Sequence, residues 1–95
     1  MYSKVYWITC NPGQSEALLA HYDSAITPAI QESEKHVGHH MIQTDDAKWL
    51  LVSNYVSKDA AESAVSMVQE LVKPMIEQYG MSLEVITEGE VSRSY

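Results

Sequence analysis

Three histidines lie close together near the middle of the chain: His36, His39 and His40. The cluster suggests metal ligands, but neighbouring side chains on an extended strand point to opposite faces, so His39 and His40 cannot share a site. His36 and His40 are about 13 Å apart along a strand, too far for metal–nitrogen bonds of about 2 Å. We therefore predict no metal site. His39 instead shares strand parity with Val37 and Met41, so we expect it to face something buried, and it is a candidate general base near neutral pH. The alternative is a histidine that makes one hydrogen bond in the core or an interface.

Aromatic residues form a second set of candidates. Trp7, Trp49 and Tyr55 share one alternating set on two strands that we expect to be neighbours, so they could form a wall for a planar ligand. In this hypothesis Tyr55 and the tryptophan NH groups hold an anion that forms when His39 removes a proton. The alternative for all three aromatic residues is packing in the core and the interface. Asn54 would anchor a polar group if it is buried, and otherwise it lies at an edge.

A ligand cavity is expected inside each subunit, between the sheet and the helices. His21 and Tyr22 lie beside the apolar stripe of the first helix and would supply polar atoms to its wall, although a boundary position also explains His21. Pro28 and Pro74 each remove a backbone donor late in a helical stretch, so helix breaks there would form the mouth of the cavity. The alternative is that each proline starts a short second helix.

Hydrophobic periodicity predicts two consecutive βαβ halves. The expected strands are residues 5–10, 37–44, 49–56 and 82–88, and the expected helices follow Ser15 and the N-cap Ser57. A shift of 46 residues places Pro28 on Pro74 and each element on its counterpart. The fold class is therefore α+β: one ferredoxin-like βαββαβ domain over residues 1–95, with a four-stranded antiparallel sheet and both helices on one of its faces.

Both faces of this sheet are expected to be apolar. The first and third strands carry two alternating sets of residues, and each set is mostly aliphatic or aromatic. Two helices cover only one face, and the other would leave an apolar patch larger than a monomer normally exposes. A second copy of the same sheet is the simplest cover, so we predict a homodimer.

Composition and charge exclude other classes of partner. The formal net charge is −7, and the six cationic side chains are scattered, so neither nucleic acid nor an anionic membrane surface is an expected partner. Cys10 is the only cysteine, which excludes an internal disulfide, and we interpret it as a small strand residue. The chain shows no signal peptide and no long apolar run, so a cytoplasmic location is expected.

Several short segments resemble a known family. They are Pro12-Gly13 before the first helix, His36-Val37-Gly38 at the second strand, and residues 49–61, WLLVSNYVSKDAA, which run into the second helix. Together with the βαββαβ order, they resemble the dimeric α+β barrel superfamily, and within it the antibiotic biosynthesis monooxygenase-like group. The resemblance implies two sheets packed face to face, with a small-molecule cavity in each subunit. Members of the superfamily include cofactor-free oxygenases of aromatic polyketides and haem-degrading enzymes.

Departures from those enzymes narrow the expected function. Haem-degrading members use a Trp before the second helix and a His late in it; here Tyr55 takes the first place and no His occurs in residues 57–80. Haem degradation is therefore not expected, and neither is any other cofactor. The polyketide oxygenases also use an Arg, but Arg93 in the tail is the only arginine. Two hypotheses follow: a cofactor-free oxygenase of a small aromatic or enolisable compound, or a non-catalytic small-molecule-binding or structural homodimer.

Overall fold

Four antiparallel strands and a helical layer on one face make up the structure, a computed structural model that describes residues 1–95. The elements are β1 (Tyr2–Thr9), α1 (Ser15–His21), a π-helical turn (Tyr22–Ile26), α2 (Thr27–Glu32), β2 (His36–Asp45), β3 (Lys48–Tyr55), α3 (Lys58–Ser63), α4 (Val65–Tyr79) and β4 (Ser82–Glu90). The strand order is β2-β3-β1-β4, with every neighbouring pair antiparallel. This arrangement confirms the predicted ferredoxin-like fold class.

The helix-covered face of the sheet holds the main core. Tyr6 pairs with Leu51, and Ile8 pairs with Trp49; all four side chains are buried beneath the helices. The predicted grouping of Trp7 with Trp49 and Tyr55 is therefore wrong. In this register Ile8, not Trp7, shares a face with Trp49. Alternation along one strand does not determine which of the two alternating sets of side chains on the neighbouring strand shares its face, because that depends on the register.

The opposite face of the sheet is uncovered, and we call it the open face. Its central residues are apolar: Val5, Trp7, Leu50 and Val52 are partly buried, and Ile42 is 51% exposed. Trp7 is covered on one side by Lys48, whose Nζ lies 4.2 Å from the centre of the indole ring. Both faces of the sheet are thus apolar, as the sequence predicted.

A π-helical turn interrupts the first helical stretch. The amide of Thr27 donates to the carbonyl of Tyr22, five residues back, which widens the turn. In a regular α-helix, residues four apart drift by roughly 40° around the axis. Because the wide turn compensates for this drift, one stripe of residues keeps facing the sheet: Leu18, Tyr22, Ile26 and Ile30.

The two prolines have different effects. Pro28 lies in the first turn of α2, directly after the π-helical turn, so it starts a short helix as one alternative proposed. Pro74 lies inside α4, which runs without interruption from Val65 to Tyr79, so the expected break there is wrong. The carbonyl that loses its donor belongs to the exposed Glu70, where water can replace it. The second helical stretch breaks instead at Ala64.

The ends of the helices match their sequence signals. Ser57 caps α3 by accepting a hydrogen bond from the amide of Ala60 at 3.1 Å. Gly80 ends α4 in the left-handed conformation, with φ of 62°. A Cβ atom at Gly80 would also collide with the side chain of Asn11. The backbone amide of Asn11 donates a hydrogen bond to the carbonyl of Tyr79. None of the helices combines the length and the apolar content needed to span a bilayer.

Candidate functional site

An inner cavity of about 40 Å³ lies between the sheet and the helices, where the sequence predicted it. Its walls are mostly aliphatic and aromatic. Five of the lining side chains carry a hydroxyl group or an imidazole ring: Tyr6, Tyr22, His39, Ser53 and Tyr55. Because one water needs roughly 10–15 Å³, this space accommodates a few water molecules and not an aromatic ring. Neither Pro28 nor Pro74 lines the cavity, so the predicted position of its mouth is wrong.

Two larger pockets, each of about 280 Å³, adjoin the inner cavity. The β2-side pocket lies between α2 and β2 and shares Tyr22 and His39 with the inner cavity. The β4-side pocket lies between α4 and the β1–β4 pair and shares Tyr6 and Tyr55 with it. The inner cavity therefore lies between the two outer pockets, and we call it the neck.

His39 is the centre of a hydrogen-bonded chain at this neck. Its Nδ1 lies 2.6 Å from the hydroxyl of Tyr22, and its Nε2 lies 2.8 Å from Oγ of Ser53. Burial raises the pKa of Tyr22 to about 12, so its hydroxyl keeps its proton and can donate it to Nδ1. In that tautomer the other ring nitrogen carries the proton and donates to Ser53. The prediction that His39 faces the buried side of the sheet is confirmed.

The charge state of His39 follows from its surroundings. Burial, and secondarily the neighbouring His36, lowers the pKa of His39 to about 4. The ring is therefore neutral at pH 7, and because Nδ1 is already bonded to the hydroxyl of Tyr22, a proton from a bound molecule would reach it through that hydroxyl. Its two hydroxyl partners hold the ring in one orientation, as a general base requires.

His36 joins this group because of a bulge in β2. The register shifts between His36 and Gly38, so the extra residue Val37 places His36 on the same face as His39. The His36 ring lies 5.5 Å from that of His39 and 4.6 Å from that of Tyr55, between ring centroids. Its Nδ1 bonds Oγ of Ser33 at 2.9 Å, while Nε2 is buried without a partner. Regular alternation could not anticipate this contact.

The structure separates the other predicted site residues from His39. Trp49 is 1% exposed and packs in the core. His21 bonds the hydroxyl of Tyr79 at 3.0 Å and does not line the cavity. Trp7 and Asn54 lie on the open face, where Asn54 accepts a hydrogen bond from Ser3. Of the seven predicted residues, only Tyr22, His39 and Tyr55 come together at the neck.

Sequence reasoning missed Ser53. It is the only polar residue in the buried alternating set of β3, and its side chain is 1% exposed. That isolated hydroxyl between Leu51 and Tyr55 was the available signal, since a buried polar group needs a partner. The partner is His39.

Protonation of His39 is expected to destabilise the fold. The folded pKa is lowered to about 4, whereas an unfolded histidine titrates near 6.5. Between these values the unfolded chain binds a proton that folded His39 does not, so stability falls as pH drops through this window. We expect a loss of roughly 1–2 kcal/mol in the free energy of unfolding between pH 7 and pH 5 from this group. Urea titrations of the wild type and His39→Gln measure it; equal pH slopes in the two proteins would contradict it.

Solved structures with the same fold exist at low sequence identity. A dimeric ferredoxin-like protein from an uncultured marine organism aligns with 100% of this chain and 98% of its own, at a TM-score of 0.78 and 10% identity. A variant of SnoaB, a cofactor-independent oxygenase from Streptomyces nogalater, aligns over 98% and 94% of the two chains, at a TM-score of 0.73 and 9% identity. No protein-family model and no curated protein sequence matches the chain.

A third structure of the same fold contains a porphyrin. It is a variant of MhuD with two manganese protoporphyrin IX molecules per active site, and it aligns over 100% and 98% of the two chains at a TM-score of 0.68 and 15% identity. The resemblance to the dimeric α+β barrel superfamily that the sequence predicted is thus confirmed as a likeness of fold.

Proposed function

We propose that this chain, which has the fold of the dimeric α+β barrel proteins, removes a proton from a small aromatic or enolisable compound and allows the resulting anion to react with O₂. The observation that supports this proposal most is the chain of hydrogen bonds from Tyr22 through His39 to Ser53 at the neck. A neutral imidazole held by two hydroxyl groups among apolar walls is suited to proton transfer. The likeness to a cofactor-independent oxygenase agrees with this chemistry.

The proton would pass along the hydrogen bonds already present. The oxygen of Tyr22 accepts the substrate proton while its own proton moves to Nδ1 of His39. Hydroxyl groups of Tyr6 and Tyr55 at the other wall would then stabilise the carbanion or enolate. Conversion of a CH₂ group and O₂ to a carbonyl and water takes all its electrons from the substrate, so the reaction needs no cofactor.

The working unit in this proposal is a homodimer formed through the open face. Its half-buried apolar residues, among them Trp7, Leu50 and Val52, would otherwise remain in contact with water. A copy of the same surface is complementary to it by two-fold symmetry. The site itself lies on the other side of the sheet, so each subunit would carry one complete site.

Residues of this chain do not fit a haem group. His39 is the only histidine that lines the cavity, and both its ring nitrogens are already hydrogen-bonded. The second helical stretch, residues 57–80, supplies no histidine at all. The cavity walls therefore offer no unengaged imidazole to a haem iron.

The narrow neck favours a second candidate, a non-catalytic small-molecule-binding protein. A cavity of about 40 Å³ cannot hold a ring next to His39 unless side chains move. In this alternative, ligands occupy an outer pocket and the hydrogen-bonded histidine only stabilises the core.

Hydrogen–deuterium exchange separates the two candidates. For wild-type protein in D₂O we expect accelerated exchange at the acidic CH₂ groups of 2-indanone, followed by proton NMR. His39→Gln should slow the catalysed exchange at least about 100-fold, the usual contribution of a general base. His21→Gln is the matched control, because that ring lies outside the cavity, and it should retain the wild-type rate.

An oxygen electrode measures the second step on the same samples. Exchange together with O₂ uptake supports an oxygenase. Exchange without O₂ uptake limits the protein to proton transfer. No exchange above the buffer rate in the wild type would contradict the enzyme proposal and favour the non-catalytic one.

A further inference from the structure

A row of polar residues crosses the helix-covered face of the sheet. Ser53 on β3 pairs with His39 on β2 and with Lys4 on β1, and Lys4 pairs with Glu88 on β4. The next row toward the middle of the sheet is apolar and aromatic: Met41, Leu51, Tyr6 and Val85. Residues directly opposite on one face have Cβ atoms roughly 5 Å apart. The row therefore connects the His39 group at the neck with the β4-side pocket.

Lys4 is the only charged residue that lines the β4-side pocket. The other walls are mostly aliphatic, with four valines of α4 and β4, and they also include Gln69 and the phenol rings of Tyr6 and Tyr55 toward the neck. Lys4 is half-buried there, although the whole chain has only six cationic side chains and a net charge of −7. An ammonium group beside apolar walls is costly unless an anion accompanies it.

The acidic side chain opposite Lys4 is already engaged. Glu88 accepts a hydrogen bond from the hydroxyl of Tyr2 at 2.8 Å, and it belongs to the exposed edge strand β4. It lies opposite Lys4 and lowers the local positive potential, but it does not line the pocket. An anion inside the pocket would approach Lys4 from the apolar side.

We propose that the β4-side pocket binds a small aryl carboxylate, with the carboxylate on Lys4 and the ring against the valines. The pocket volume of about 280 Å³ is sufficient for one substituted ring, since a cavity of about 150 Å³ can hold benzene. The CH₂ group next to such a carboxylate or ring would then lie toward Tyr6 and Tyr55, which the pocket shares with the neck. This inference names the ligand class of the β4-side pocket. Tyr22 and His39 do not line that pocket, so binding there is tested separately from the proposed proton transfer.

Phenylacetate and phenylacetamide are the matched probes, since they differ in charge and hardly in shape. By calorimetry or NMR titration we expect the wild type to bind phenylacetate at least tenfold more tightly than the amide. Lys4→Met should remove this preference and leave amide binding unchanged, which also shows that the variant is folded. Lys4→Arg should keep the preference. Lys73→Met, at an exposed position of α4, is the control and should behave as the wild type.

Glu88→Gln should change the affinity of the same site for phenylacetate in the opposite direction. The amide can still accept from Tyr2, but the repelling charge opposite Lys4 is removed, so phenylacetate should bind several-fold more tightly. Equal affinity of the wild type for acid and amide, or unchanged phenylacetate affinity in Lys4→Met, would overturn the inference. His39→Gln should bind phenylacetate like the wild type even where proton exchange is lost. Failure of carboxylate binding and failure of the proposed function are therefore distinguishable.

Discussion

Val52→Asp is expected to convert the protein from a dimer to a monomer of 10.7 kDa at micromolar concentration. Val52 lies in the middle of the open face, between His40 on β2 and Val5 on β1. In the proposed dimer its side chain is enclosed by the partner sheet, where an unpaired carboxylate costs several kcal/mol. A loss of about 4 kcal/mol weakens association roughly a thousandfold.

Light scattering coupled to gel filtration measures the mass directly. Val65→Asp is the matched control, because Val65 is 39% exposed on α4, in the helical layer on the other side of the sheet. It should remain dimeric. If Val52→Asp is still a dimer and Val65→Asp is not, the subunits associate through the helices. A monomeric wild type would contradict the prediction of a dimer altogether.

Met75→Ala is expected to reduce the free energy of unfolding by about 3 kcal/mol, in the range measured for large-to-small substitutions in cores. Met75 on α4 is fully buried and lines the inner cavity, so its removal enlarges the neck. The enlarged cavity should hold one aromatic ring. Saturating toluene should therefore raise the thermal midpoint of the variant and leave that of the wild type nearly unchanged.

Met67→Ala is the control for this substitution. Met67 lies on the same helix, is only half-buried and does not line the cavity, so its replacement should cost less than about 1 kcal/mol and create no toluene site. A wild type that toluene stabilises as strongly as Met75→Ala would mean that the neck opens readily. Size would then not limit access to His39, and the main argument for the non-catalytic alternative would be lost.

The fold could be predicted because its determinants are local. Alternation and helical periodicity identified all four strands and both helical stretches, and Ser57 and Gly80 bound the second stretch as expected. The relation between neighbouring strands is not local. Trp7 and Trp49 share a parity in the sequence but lie on opposite faces, because the register of β1 against β3 depends on the connections between them.

The candidate site could be predicted only where the strands are regular. His39 lies on the predicted buried side because no irregularity separates it from Met41. The contact of His36 with His39 was not predicted, because the bulge at Val37 moves the His36 side chain to the opposite face of the strand. No residue type signals a bulge reliably. Tyr22 was a correct candidate, but its bond to His39 depends on the wide helical turn, which periodicity alone does not reveal.

That turn has a consequence for how relatives of this chain could be recognised. The five residues from Tyr22 to Ile26 form a single wide turn, and one fewer residue there would restore ordinary helical geometry. Because the wide turn accommodates one extra residue, the residues before and after such a deletion would keep facing the same directions, about one helical turn apart. A relative could therefore lack one residue of the turn and still make the contact between the phenol and the imidazole. For this site, a one-residue gap in an alignment is compatible with the same hydrogen bond, whereas a substitution of the histidine is not.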